Sequence, residues 1–197
     1  MRIGIDIDGV VSDSYTVWLR ELNRRFGKNI TVVTDYDLHV DFQVPREEMN
    51  QFFMENTERL LMLPELVEGA KEGVESLLQE GHDLIFVTAR SPEEENFTVR
   101  WLTMRGIPHK HIIFTGFKSK VDVIKQWGIE IFIEDYQVNA EAIAQCGIPV
   151  FLLNTSYNQA ELSEGIIRCH SWSEIVQGIH KLDSYQAHLP QSGITDE

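Results

Sequence analysis

Apolar residues along the chain fall into two periods. The runs RIGIDID (2–8), DLIFVTA (83–89), HIIFT (111–115), IEIFIED (129–135) and PVFLLN (149–154) are rich in Ile, Val and Phe. Unbroken apolar runs of this length predict strands buried on both faces. Between them, apolar positions recur three and four apart in VEGAKEGVESLLQEG, SPEEENFTVRWLTMRG, KSKVDVIKQWG and VNAEAIAQCG, each closed by glycine where a left-handed helix cap falls. Strand and helix in alternation predict an α/β fold, a parallel sheet covered by helices on both faces.

The span between the first and second runs, residues 9–82, is far longer than a simple crossover needs. Within it, SYTVWLRELNRRF (14–26) places Val17, Trp18, Leu22 and Phe26 on one helical face, and REEMNQFFMENTERLLML (46–63) does the same with Met49, Phe52, Phe53, Leu60 and Leu61. A small helical cap inserted after the first strand is expected. The core then comprises residues 1–13 and 66–184, the cap residues 14–65, and a flexible tail residues 185–197, where periodicity gives way to Ser, Gly, Pro and Gln.

Composition narrows the function. The 31 acids outnumber the 17 bases of the 197-residue chain, a formal charge of -14 that repels nucleic-acid polymers and anionic membranes. No apolar run approaches a bilayer span, and the first is too short and acidic for a signal-peptide core, so a cytoplasmic protein is expected. Cys146 and Cys169 form no CxxC pair and are expected to be buried free thiols.

Ligands of open α/β sheets gather at the carboxyl ends of the strands. There the sequence places Asp6 and Asp8 after the first run, Thr88 at the end of the second, Lys118 and Lys120 after the third, and Glu134 with Asp135 at the end of the fourth. Two aspartates at i and i+2 of an extended chain face one side, roughly 6.5 to 7 Å apart. Like charges that close raise one pKa unless a divalent cation takes a carboxylate as ligand, so the pair divides into an ionised and a protonatable member. Hydrolysis of a phosphate monoester uses such a division: a nucleophile for phosphorus, an acid for the leaving oxygen, and positive charge for the remaining oxygens. Asp135 can join Asp6 in an oxygen-rich Mg2+ site, with Thr88 donating a hydroxyl and a lysine adding charge. Gly9 permits close backbone approach.

These residues carry a resemblance. DIDGV (6–10), VTAR (87–90), a lysine ahead of a helix, and IED (133–135) are similar, in order, to the four motifs of the haloacid dehalogenase-like phosphohydrolases. The resemblance covers nearly the whole core and implies its Rossmann-like, three-layer fold. It implies Asp6 as nucleophile of an aspartyl-phosphate intermediate and Asp8 as general acid and base, also giving its carbonyl to Mg2+. Thr88 and the Ala89 amide would hold the phosphoryl oxygens, Lys120 would pair with phosphate and nucleophile, and Asp135 would complete the metal shell. Lys118 competes with Lys120, which is favoured because it opens the helix before WGIEIFIED. Val10 replaces the usual Thr or Ser, a change found in the 5'(3')-deoxyribonucleotidases, which also carry a helical cap. Glu134 replaces a frequent aspartate and reads as a supporting partner, and Asn139 as a residue that orients the loop. The expected substrate is a small phosphomonoester, a nucleoside monophosphate first. A phosphatase for sugar phosphates and a non-catalytic phosphate-binding domain are the alternatives.

Overall fold

In a computed structural model, which describes residues 1–187 of the chain, six parallel strands form one sheet in the order β3-β2-β1-β4-β5-β6. They are β1 (Arg2–Ile5), β2 (Asp83–Thr88), β3 (His111–Phe114), β4 (Ile131–Glu134), β5 (Val150–Leu153) and β6 (Ile166–Cys169). The first five occupy the apolar runs. The sixth has no such run: in IIRC only the end residues Ile166 and Cys169 are buried, each in a different core cluster, while Ile167 is exposed at the sheet's edge, where the strand pairs only with β5.

The core helices are α5 (Ala70–Gln79), α6 (Glu95–Met104), α7 (Lys120–Trp127), α8 (Gln137–Ala144) and α9 (Trp172–Ala187). Val74 and Leu77 of α5, Trp101 and Leu102 of α6, and Trp172 and Ile175 of α9 pack with Ile3, Ile5 and Phe86 in one core cluster. Ile124 of α7 and Ala140 and Ile143 of α8 pack with Ile85, Phe132 and Val150 in the other. The three-layer α/β arrangement follows from strands apolar on both faces. Helix α9 runs through Ala187, and residues 188–197 of the expected tail lie outside the described part.

Helices α1 (Ser14–Phe26), α2 (Leu38–Phe42), α3 (Arg46–Glu55) and α4 (Thr57–Met62) lie between β1 and α5. They enclose an apolar cluster of their own, including Leu22, Phe42, Met49, Phe52 and Leu60. The single helix expected over 46–63 is broken at Asn56, whose φ of -120° and ψ of 16° leave the helical region while its side chain binds the Phe52 carbonyl. The chain leaves and re-enters the core side by side: the Asp13 amide donates to the Glu65 carbonyl, and the Val67 amide to that of Val11. Among the described residues no helix is long and apolar enough to cross a membrane. Cys169 is buried, but Cys146 is exposed, contrary to expectation, because it falls after the last turn of α8 rather than on its buried face.

Candidate active site

The strand order reverses direction between β1 and β4, which opens a crevice at their carboxyl ends. Asp6 and Asp135 are the first residues beyond those two strands, and the Asp6 amide continues the ladder by donating to the Ile133 carbonyl at 3.0 Å.

Lys120, the first residue of α7, projects between the strand ends. Its Nζ lies 2.9 Å from Asp6 Oδ2 and 2.9 Å from Glu134 Oε2, and the side chain is almost wholly buried. Burial acts to lower its pKa, but Asp6 and Glu134 override this and raise it. Lys118 is exposed on the preceding loop. Glu134 spends its other oxygen on Asn139 Nδ2 at 2.8 Å, so both its oxygens serve the protein. Thr88 is buried at the end of β2, its hydroxyl accepting from the Arg90 amide, and the Ala89 carbonyl beside it accepts from the Phe117 amide.

Asp6 and Asp8 do not both lie on one extended strand, although each still feels the other's surroundings: the Asp8 charge acts on Asp6, and Lys120 acts on Asp8. The strand ends at Ile5, and Val11 and Ser12 both donate to the Ile7 carbonyl, closing a tight turn through Gly9. Asp8 therefore meets a partner not foreseen from the sequence, Arg90 of the VTAR segment. The guanidinium is bidentate, Nε to Oδ2 at 2.8 Å and Nη2 to Oδ1 at 2.7 Å, while Nη1 donates to Thr98 and the Ser14 hydroxyl adds a bond to Asp8. Burial alone would raise the Asp8 pKa; Arg90 and Ser14 overcome it and hold the carboxyl below its usual value. Asp6 shifts the other way, to about 7, because its burial and the Glu134 charge outweigh Lys120. The pair divides, but in the free protein Asp8 is the firmly ionised member. The turn also buries Val10, whose carbonyl accepts from Trp172 Nε1, which accounts for an apolar residue at that position.

Among the described residues, Asp6, Glu134 and Asp135 each place a carboxylate oxygen within 4.8 Å of the others. Asp135 Oδ2 accepts from the Tyr157 hydroxyl, while the buried Oδ1 has no hydrogen-bond partner. Burial first, then the Asp6 and Glu134 charges, push the Asp135 carboxyl well up. Three buried carboxylates around one lysine, with an oxygen to spare, suit a hard divalent cation. Gly9, with φ of 80°, makes room: a Cβ there would stand 2.0 Å from Asp135 Oδ2. Tyrosines roof the cluster, Tyr15 4.6 Å from Tyr157 and Tyr36 stacked 3.6 Å from Tyr136 between ring centres. Only Arg90 carried a sequence signal, a lone cation in the second motif; Tyr157 and Tyr36 come from loops without pattern.

Residues 1–184 match the family model described as 5' nucleotidase, deoxy (pyrimidine), cytosolic type C protein. The chain belongs to this nucleotidase family. Among similar proteins, YqfW of Bacillus subtilis is 37% identical over 90% of this chain and 92% of its own length. Nucleotidase CA_C3379 of Clostridium acetobutylicum is 32% identical over 92% of this chain and 95% of its own. A HAD family hydrolase from Deinococcus radiodurans, solved with bound phosphate and sodium, superimposes with a TM-score of 0.66 at 15% identity, covering 92% of this chain and 96% of that one. Haloacid dehalogenase-like protein SP0104 of Streptococcus pneumoniae gives 0.66 at 15% identity over 90% and 97%. The fold is thus the HAD-like one, and this nucleotidase-family chain is an enzyme of the phosphatase class.

Proposed function

We propose that the protein is a Mg2+-dependent hydrolase of small phosphomonoesters, 5'-nucleotides or deoxynucleotides first, acting through an aspartyl phosphate on Asp6. The observation that carries the reading is the crowding of Asp6, Glu134 and Asp135 around Lys120, with Asp135 Oδ1 unpartnered. Asp6 and Asp135 would hold the cation with the Asp8 carbonyl, and when bound it supplies positive charge that screens the phosphate from the acids.

The chain's own residues do the rest. An Asp6 oxygen attacks phosphorus as the bond to the leaving oxygen breaks, and Lys120 and the Thr88 hydroxyl hold oxygens of the PO3 unit. Asp8 protonates the leaving oxygen, then takes a proton from the water that attacks phosphorus and frees Asp6. Because Arg90 keeps Asp8 ionised in the free protein, its proton must arrive with the phosphoester, whose negative charge raises the carboxyl's pKa. The tyrosine roof supports a planar leaving group, since aromatic rings stack on nucleobases whatever their identity.

Phosphate release from a panel of nucleoside 5'-monophosphates and sugar phosphates tests the reading. Nucleotide turnover with Mg2+, silenced by chelator and restored by Mg2+, is expected. Turnover of sugar phosphates alone would overturn the substrate, and undiminished turnover in chelator the metal.

A further inference from the structure

The loop after β5 grips Asp135 twice. Asn158, 1% exposed, donates Nδ2 to the Asp135 carbonyl at 2.7 Å and to that of Leu153 at 2.8 Å. Its Oδ1 accepts from the Thr155 amide at 3.1 Å and from Arg168 Nη1 of β6 at 2.7 Å. Arg168 also donates Nη2 to the Ala160 carbonyl at 3.0 Å, which pins the loop to the edge strand. Next to Asn158, Tyr157 donates its hydroxyl to Asp135 Oδ2, and the same oxygen lies against Gly9. Tyr157 is held in turn beneath Tyr15 and Tyr36. Main chain and carboxylate of Asp135 are therefore fixed by consecutive residues, and of its two carboxylate oxygens only Oδ1 lacks a protein partner.

We infer that Tyr157 and Asn158 are positioning residues that set the affinity and selectivity of the cation site through Asp135, an inference that rests on the metal reading above. The tyrosine hydroxyl occupies one oxygen and so presents Asp135 as a one-oxygen ligand of fixed direction. Mg2+ demands near-ideal octahedral geometry, whereas Ca2+ accepts flexible and two-oxygen carboxylates. Freeing Oδ2 should thus weaken Mg2+ more than Ca2+. Partners that orient metal ligands commonly account for about 10- to 100-fold in affinity.

Calorimetric titration of substrate-free protein with Mg2+ and with Ca2+ tests this on wild type, Tyr157→Phe, Arg168→Met and Asp135→Asn. Tyr157→Phe keeps the ring in its stack, and its thermal midpoint in chelator checks the fold. The expected result is a loss of roughly 10-fold or more for Mg2+ with a fall in the Mg2+ to Ca2+ affinity ratio, and a smaller loss of the same sign in Arg168→Met, which loosens Asn158 from outside the cluster. If Tyr157→Phe and Arg168→Met both bind Mg2+ within about two-fold of wild type, or lose both ions equally, the positioning role is overturned while the metal reading stands. If wild type binds neither ion, or Asp135→Asn binds Mg2+ as wild type does, the metal reading itself fails.

Discussion

The two sides of the crevice treat their carboxylates in opposite ways. On the β2 side, Asp8 is matched by one guanidinium with two bonds and a serine hydroxyl, a closed ion pair that needs nothing more. On the β4 side, Lys120 pairs with Asp6 and Glu134, Asp135 takes a bond from the Tyr157 hydroxyl, and its Oδ1 is left over. Buried charge without a counter-charge is costly, so the first side is complete in the folded chain, whereas the second has the surplus of negative charge that the proposed cation would offset. The same contrast appears in the pKa values, lowered for Asp8 and raised to about 7 for Asp6.

The strongest way to break the comparison is to neutralise one acid on each side. Asp6→Asn should cost at least roughly 10^4-fold in turnover, the scale of losing a nucleophile, yet unfold no earlier than wild type in chelator, because it relieves crowding. Asp8→Asn should also lose activity but destabilise the protein by about 3 kcal/mol, since Arg90 is left buried without its partner. Denaturant unfolding of both variants decides; equal stability losses would erase the distinction.

Smaller effects sharpen it. Mg2+ at about a hundred times its dissociation constant should stabilise wild type by roughly 2.7 kcal/mol, and Asp135→Asn hardly at all, as read by thermal unfolding. pH gives the least. Asp6, with its carboxyl pushed up to about 7 from an ordinary aspartate value of about 4, contributes stability that is full below about pH 4 and lost as pH rises toward 7. Asp8, with its pKa lowered, loses its contribution only as pH falls below about 4. Between pH 5 and 7 the metal-free protein should therefore lose stability as pH rises, the raised Asp135 carboxyl acting in the same direction, and saturating Mg2+ should flatten that slope. A metal-free profile that rises over this range would contradict the crowded-acid assignment.

The sequence by itself determined the sheet's first five strands, the inserted helices and the strand-end acids, because burial on two faces and helical periodicity are local patterns. It also placed Lys120 at the opening of its helix. The tertiary structure decided the pairings: the turn through Gly9 sends Asp8 to Arg90, and the loop between β5 and β6 brings Tyr157 and Asn158 onto Asp135. The edge strand β6, invisible as an apolar run because only one neighbour covers it, supplies Arg168, which anchors that loop. Contacts between residues remote in sequence depend on chain crossings that no local period encodes, so the strand-end acids were legible while the groups that hold them in place were not.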